Sequence, residues 1–296
     1  MKLLISGSTG LIGQALTAAA MERGHEVTRL SRGNAVTAPR VLWDPVTGQI
    51  PLRLLEGFDA VIHLAGESIA AGRWTAARKK RIRDSRVYGT SNLVKALTTL
   101  ERPPRIFLSA SAIGFYGDRG NDVLSEDSVA GEGFLPSVCR EWEAAADPLR
   151  SAGLRVAHAR FGIVLSRRGG ALPKMLLPFR LGLGGAMGNG RQWWSWVALP
   201  DAVEALLHIL HNDSLSGPVN VTAPGAVTNR AFTDTLGRVL RRPTVMPLPG
   251  FVARLLMGEM ASALLLASAR VEPRRLAQSE FQFRFPDLAT ALKGNY

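Results

Sequence analysis

Five short stretches of the chain, Lys2–Ser6, Glu26–Leu30, Ala60–Leu64, Arg105–Ser109 and Leu154–Arg160, run as continuous apolar or β-branched residues rather than alternating with polar ones. That is the pattern of strands covered on both faces. Between them apolar positions recur at helical spacing: Leu11, Ile12, Ala15, Leu16 and Ala19 ahead of Gly24, a long segment over 75–98, and Val138, Trp142 and Ala145 in a helix that Pro148 ends or bends. Strand and helix alternate, which predicts crossover connections and a parallel sheet with helices on both faces.

Beyond residue 165 the texture loosens. Gly169, Gly170, Gly182, Gly184, Gly185, Gly188 and Gly190 surround Pro173 and Pro178, and this stretch is expected to be rich in loops. Regular structure resumes where Asp201 and Glu204 form a capping box opening a helix over 202–211, followed by a strand at Val219–Thr222. Apolar helices are expected at 229–240 and 250–268. The expected division is a first domain over 1–165, completed by 191–225, and a small C-terminal domain on the substrate side made of 166–190 and 226–296.

Composition narrows the function classes. With 46% apolar and 20% charged residues in 296, the chain is a folded globular protein. A single cysteine, Cys139, excludes an internal disulfide and leaves no cysteine framework for a metal, so no metal is expected and a reducing compartment fits best. The apolar run after Met1 stops at Ser6 and Gly7, too soon for a signal peptide, and the most apolar stretch, 251–269, carries Arg254 and Glu259, so a membrane span is not expected. A cytoplasmic protein follows. The 36 Lys and Arg against 24 Asp and Glu, a net charge of +12, favour an anionic partner. The densest basic run, Arg73 to Arg86, lies in a segment that continues with Val87, Thr90, Val94 and Leu97 at helical spacing, and is expected on a solvated helix face. No nucleic-acid recognition motif accompanies the charge, so the expected partner is a small molecule, and a monomer and a homodimer both remain open.

Gly7-Ser8-Thr9-Gly10-Leu11-Ile12-Gly13 directly follows the first strand and opens the first helix. A sharp turn at Gly7, close backbone approach at Gly10, tight helix–strand packing at Gly13 and the free N–H groups of the helix start suit a dinucleotide diphosphate. About 20 residues on, where an acid would hold the ribose hydroxyls of NAD, the second strand ends at Ser31 and Arg32. A guanidinium there suits a 2′-phosphate, so NADP(H) is the expected cofactor. The next strand ends His63-Leu64-Ala65-Gly66, whose small residues let a cofactor lie against backbone. His63 itself is expected to be a satisfied core histidine.

With this spacing, the stretch Leu108 to Asp118, and the segments Gly190 to Trp196, Gly217 to Pro224, Asn229 to Phe232 and Gly258 to Met260, the chain resembles the extended short-chain dehydrogenase/reductase superfamily. Within it the chain resembles the atypical "epimerase family" group related to nucleotide-sugar epimerases, over essentially its whole length. The resemblance implies a Rossmann-like doubly wound parallel sheet of the α/β class, a smaller C-terminal substrate-side domain, NADP(H), and reductase or epimerase-like chemistry on a small, nucleotide-sugar-like substrate. It places Ser109 with the cofactor residues and Ser111 at the catalytic serine.

The superfamily's Tyr-x-x-x-Lys pair, whose lysine lowers the tyrosine pKa for proton exchange, has no match. The three tyrosines are followed four residues on by Asn92, by Gly120 and by nothing, and the helix that should carry the pair offers Leu135 and Cys139 in one register or Cys139 and Glu143 in another. Tyr116 is left as a substitute proton donor or as a residue of aromatic packing or ligand contact, and Glu143 as a base if buried. Cys139 reads as a small packing residue. An Ile-His-x-Asp-Asp-like turn is replaced by Val197-Ala-Leu-Pro-Asp201, which excludes a histidine role there. Trp193, with Gln192, Arg191, Trp194 and Trp196, forms a substrate clamp or interdomain packing. Glu67 and Trp74 border the same cleft, and Arg160 meets an anionic ligand or pairs with an acid. The alternative to an enzyme is an NADP(H)-binding sensor that has lost turnover.

Overall fold

The structure, a computed structural model, describes residues 1–32 and 39–294. Seven strands make one sheet: β1 (Lys2–Ser6), β2 (Glu26–Ser31), β3 (Arg40–Leu42), β4 (Ala60–His63), β5 (Ile106–Ala112), β6 (Arg155–Phe161) and β7 (Gly217–Val221). They lie in the order β7-β6-β5-β4-β1-β2-β3, and every neighbouring pair is parallel. Strand order reverses between β1 and β4, and the carboxyl ends there diverge into the crevice where doubly wound sheets bind ligands. The expected Rossmann-like architecture is therefore present, with β3 added. That strand has only three residues, too few to show a pattern, and residues 33–38 ahead of it lie outside the described residues.

Alternation along the strands sorts the core onto two faces. Leu3, Ile5, Ile62 and Leu108 pack on one side against α1 (Leu11–Glu22) and α4 (Leu199–His211). Leu4, Val61, Phe107 and Val156 pack on the other against Leu93 and Leu97 of α2 (Ala76–Leu97), whose Thr75 hydroxyl caps the Arg78 N–H. Next to α2 stands α3 (Phe134–Ala144). A third cluster, including Leu165, Leu176, Phe179, Trp194, Trp196, Phe232 and Leu292, forms the core of the smaller C-terminal part.

Four local expectations change. Helix α4 starts at Leu199, before the proposed capping box, because Pro200 suits a first turn; Asp201 is wholly buried and accepts the N–H groups of Arg284 and Phe285, each at 2.9 Å. The 250–268 helix breaks at Gly258, whose φ of 63° leaves separate pieces at Gly250–Met257 and Glu259–Ala261 followed by a π-turn over Ser262–Leu266. The loop-rich stretch contains a helix, Leu172–Arg180, that buries Leu172, Leu176 and Phe179 despite Pro178. The basic run is only partly solvated, since Arg78 donates to the Ser68 carbonyl and Lys79 pairs with Glu259 of the C-terminal part. Among the described residues no helix is long and apolar enough to cross a membrane.

Candidate functional site

The site is the carboxyl edge of the sheet, and it has two halves. In the first, β1 turns at Gly7, whose φ is 68°; a Cβ there would lie 2.6–2.7 Å from the Leu64 and Ala65 backbone. Only glycine lets the two strand ends meet so closely. Gly13 answers to the loop rather than to a strand: a Cβ on it would overlap the Gly7 carbonyl oxygen. Gly10 is exposed and is the N-cap of α1, which has no capping side chain and no acid in its first turn. The N–H groups of Leu11, Ile12 and Gly13 thus face the crevice as a ready anion site. Thr9 is exposed, Leu64 and Ala65 are half-buried, and Gly66 is exposed beside them. Ser31 ends β2 with its hydroxyl buried and without a partner, and the exposed Arg32 borders an open cavity of about 780 Å³ with Trp43, Asp44 and Gln49.

The second half lies on the α2/α3 face, where strand register sets polar side chains in two rows. His63, Ser109 and His158 are cross-strand neighbours in the lower row, and Ser111, Arg160 and Asn220 in the upper. In the lower row the His63 Nδ1 is 2.6 Å from the Ser6 hydroxyl while its Nε2 has no partner, and neither nitrogen of His158 has one. Burial pushes both imidazoles down to about 4, so both are neutral. His63 is a core histidine as expected, but satisfied at one nitrogen only. Ser109 is wholly buried and donates to the Ala110 carbonyl, which corrects its placement among cofactor-contacting side chains: it lies beneath the crevice floor.

In the upper row Arg160 grips Glu143 of α3 through Nε and Nη2, each at 2.8 Å, and Ser111 donates to the same carboxylate at 2.6 Å. Arg160 also donates to Tyr116 Oη at 3.0 Å and stacks on Phe115, 3.5 Å from the ring centre. Tyr116 Oη donates in turn to Asn220 Oδ1 at 2.7 Å. The two alternatives for Arg160 resolve to pairing with an acid. Burial works to raise Glu143, but Arg160 holds it below the usual carboxylate range, whereas burial leaves the Tyr116 phenol raised. Tyr116 is wholly buried with its hydroxyl engaged twice, so the expected proton donor is closed off from any substrate. Cys139 stands one helical turn before Glu143, and burial pushes its thiol up to about 12. It is no nucleophile.

The substrate-side residues scatter. Gln192 is buried and its amide donates to the Met187 and Leu265 carbonyls, which corrects its role as a substrate handle. Trp194 and Trp196 belong to the C-terminal core, so most of the supposed clamp is packing. Trp193 is half-buried, donates to Asn121 and stacks under Arg270 along a separate groove of about 490 Å³. Glu67 faces Arg78 at 3.8 Å, and Trp74 packs on Phe134. Sequence reasoning missed His158 and Asn220, and it put Arg86 on a solvated face with the rest of the basic run, whereas its guanidinium turns inward to the Glu67 and Ile82 carbonyls. Arg86 had a signal, since it falls on the stripe of Ile82, Gly89 and Leu93, all buried, where a charge is out of place.

Comparison with known proteins places these features. Residues 3–222 match the model of the NAD dependent epimerase/dehydratase family, and 248–294 match a domain of unknown function, DUF1731. The epimerase family protein ML0860 of Mycobacterium leprae is 40% identical over 97% of this chain and 93% of its own length. The crystal structure of human epimerase family protein SDR39U1 with NADPH superimposes with a TM-score of 0.90 at 37% identity, covering 99% of this chain and 98% of that one. UDP-N-acetylglucosamine 4-epimerase of Bacillus cereus, 18% identical with a TM-score of 0.79 over 100% of this chain and 98% of that one, shares the fold.

Proposed function

We propose, from the premise that this chain belongs to the NAD-dependent epimerase/dehydratase family, that it binds NADP(H) across the carboxyl edge of its sheet and carries out reductase or epimerase-like chemistry on a small molecule. The observation that carries the proposal is the uncapped start of α1 behind Gly7, Gly10 and Gly13 at the point where strand order reverses. The donor set fits the group. The Leu11, Ile12 and Gly13 N–H groups would hold the diphosphate, Leu64 to Gly66 would border it, and Ser31 and Arg32 would take the 2′-phosphate. The human relative crystallised with NADPH supports that choice. When bound, NADP(H) gives or accepts a hydride.

The chain's own side chains set the limits of that chemistry. Glu143 is ionised and neutralised by Arg160, Ser111 is tied to Glu143, and Tyr116 is buried. These groups position one another and exclude water; none is placed to exchange a proton with a substrate near neutral pH. Positioned proton transfer contributes roughly two to four orders of magnitude in rate. The closed cluster is therefore the specific observation favouring a second reading, a cofactor-binding sensor without turnover.

Fluorescence titration with NADPH and NADH tests the proposal. Arg32→Asp is expected to weaken NADPH at least tenfold while leaving NADH within threefold. Equal loss of both would remove the 2′-phosphate assignment. Oxidation of bound NADPH against aldehydes, ketones, quinones and sugar nucleotides then separates enzyme from sensor.

A further inference from the structure

On the α2/α3 face, Arg86 is half-buried and differs from Arg160 and Arg155, the other arginines packed into the sheet layer. Its Nη1 donates to the Glu67 and Ile82 carbonyls at 3.0 and 3.1 Å, and its guanidinium stacks over Trp142 at 5.1 Å. Among the described residues no carboxylate lies within 4.0 Å of it, and its Nε and Nη2 have no protein acceptor. Arg160 on the same face is held in both prongs by Glu143, and Arg155 donates to four backbone carbonyls. The Glu67 carboxylate lies in its field but pairs with Arg78 at 3.8 Å, so the desolvation of Arg86 is only partly offset and an anion against its open prongs would complete it.

The guanidinium lies directly under the crevice. A Cβ on Gly66 would stand 3.3 Å from the Arg86 Cζ and 3.4 Å from Nη2, so the glycine leaves that nitrogen next to exposed backbone at the end of β4. The diphosphate donors of α1 are on the opposite face of the sheet, which separates the two anion sites. Around Arg86 the groups are Trp142, Gly66, Glu67, whose carboxylate acts on it from beyond ion-pair distance, and the neutral Cys139 thiol, which lies in the field of both Arg86 and Arg160.

We propose that Arg86 is a substrate-specificity residue that binds a two-oxygen anion, a carboxylate or phosphate borne by the substrate, in the half of the crevice opposite α1. The forked N–H pair of Nε and Nη2 matches that geometry. This rests on the NADP(H) reading above and names the class of substrate: an anionic molecule, with its charge placed against Gly66.

Binding of inorganic phosphate and of acetate to the NADPH-loaded protein, followed by NADPH fluorescence and by the arginine side-chain 15Nε resonances, tests it. The wild type is expected to show saturable binding with a shift of one Arg 15Nε signal. Arg86→Gln is expected to lose that signal and at least tenfold in anion affinity while the NADPH Kd moves less than threefold. Arg86→Lys, which keeps the charge on α2 and guards against misfolding of the Gln variant, is expected to bind phosphate but to lose most of the acetate affinity. Anion affinity unchanged in both variants overturns the proposal, as does a fall in NADPH affinity equal to the fall in anion affinity, which would assign Arg86 to the cofactor. Absence of NADPH binding to the wild type would instead remove the cofactor reading, and phosphate titration of the unloaded protein would still test Arg86.

Discussion

The two halves of the crevice rise from the same sheet edge and end in opposite states. On the α1 side the donors are backbone N–H groups, exposed and uncapped, around Gly7 and Gly13, where a Cβ would overlap neighbouring backbone. On the α3 side the polar groups are side chains, and Ser111, Glu143, Arg160, Tyr116 and Asn220 are engaged with one another. Backbone donors keep their function whatever happens to neighbouring side chains, so an anion site stays open on one side of the crevice while the polar side chains of the other close into an internal ion-pair network. Arg86 is the exception on the second side.

Acidification is expected to have the largest effect, because two buried neutral imidazoles lie beneath the crevice on the α2/α3 face. His63 lies beneath the glycine loop and His158 beneath the ion pair, both held at about 4 against an ordinary 6.5. Between those values the unfolded chain binds more protons, so stability falls as pH falls from about 6.5 to 4, by about 3 kcal/mol per ring. Urea unfolding at pH 7 and pH 4.5 measures it. A flat profile would mean that neither ring is buried as a neutral group. Next comes Glu143→Gln, which leaves Arg160 buried without a counter-charge and is expected to cost about 3–5 kcal/mol. If the NADPH Kd stays within threefold, the halves are separate; a parallel loss of cofactor binding would show that they are one unit. Gly13→Ala attacks the open side alone. Overlap with the Gly7 carbonyl is expected to cost about 1–3 kcal/mol and at least tenfold in NADPH affinity, while the Arg160–Glu143 side stays intact. An Ala variant that binds NADPH normally would show that the loop can shift.

How much of this could be read beforehand depended on the range of each interaction. The glycine loop is local: its strand, turn and helix fit within Lys2 to Glu22, and its spacing is diagnostic. The missing Tyr and Lys pair needed only a count of tyrosines. Arg160 could not be assigned from sequence, because its partner Glu143 is fixed by how α3 lies across β6. Asp201 was misread because Asp-x-x-Glu satisfies a local rule while its real partners, the Arg284 and Phe285 N–H groups, are far along the chain. Gln192 looked like a polar handle in a glycine-flanked loop, and only the fold brings the Leu265 carbonyl to it. The helix over Leu172–Arg180 was obscured by two prolines, although Leu172, Leu176 and Phe179 carry its spacing.

The burial of Asp201 has a consequence for biosynthesis. Its carboxylate sits in the first turn of α4 with its oxygens satisfied by residues 284 and 285, and Glu126 accepts the N–H groups of both Asn220 and Arg275. Until residues 275–285 have left the ribosome, closing the sheet around β7 and α4 would trap acids that lack their partners. The stability of the sheet edge at α4 is thereby tied to the C-terminal segment that satisfies Asp201.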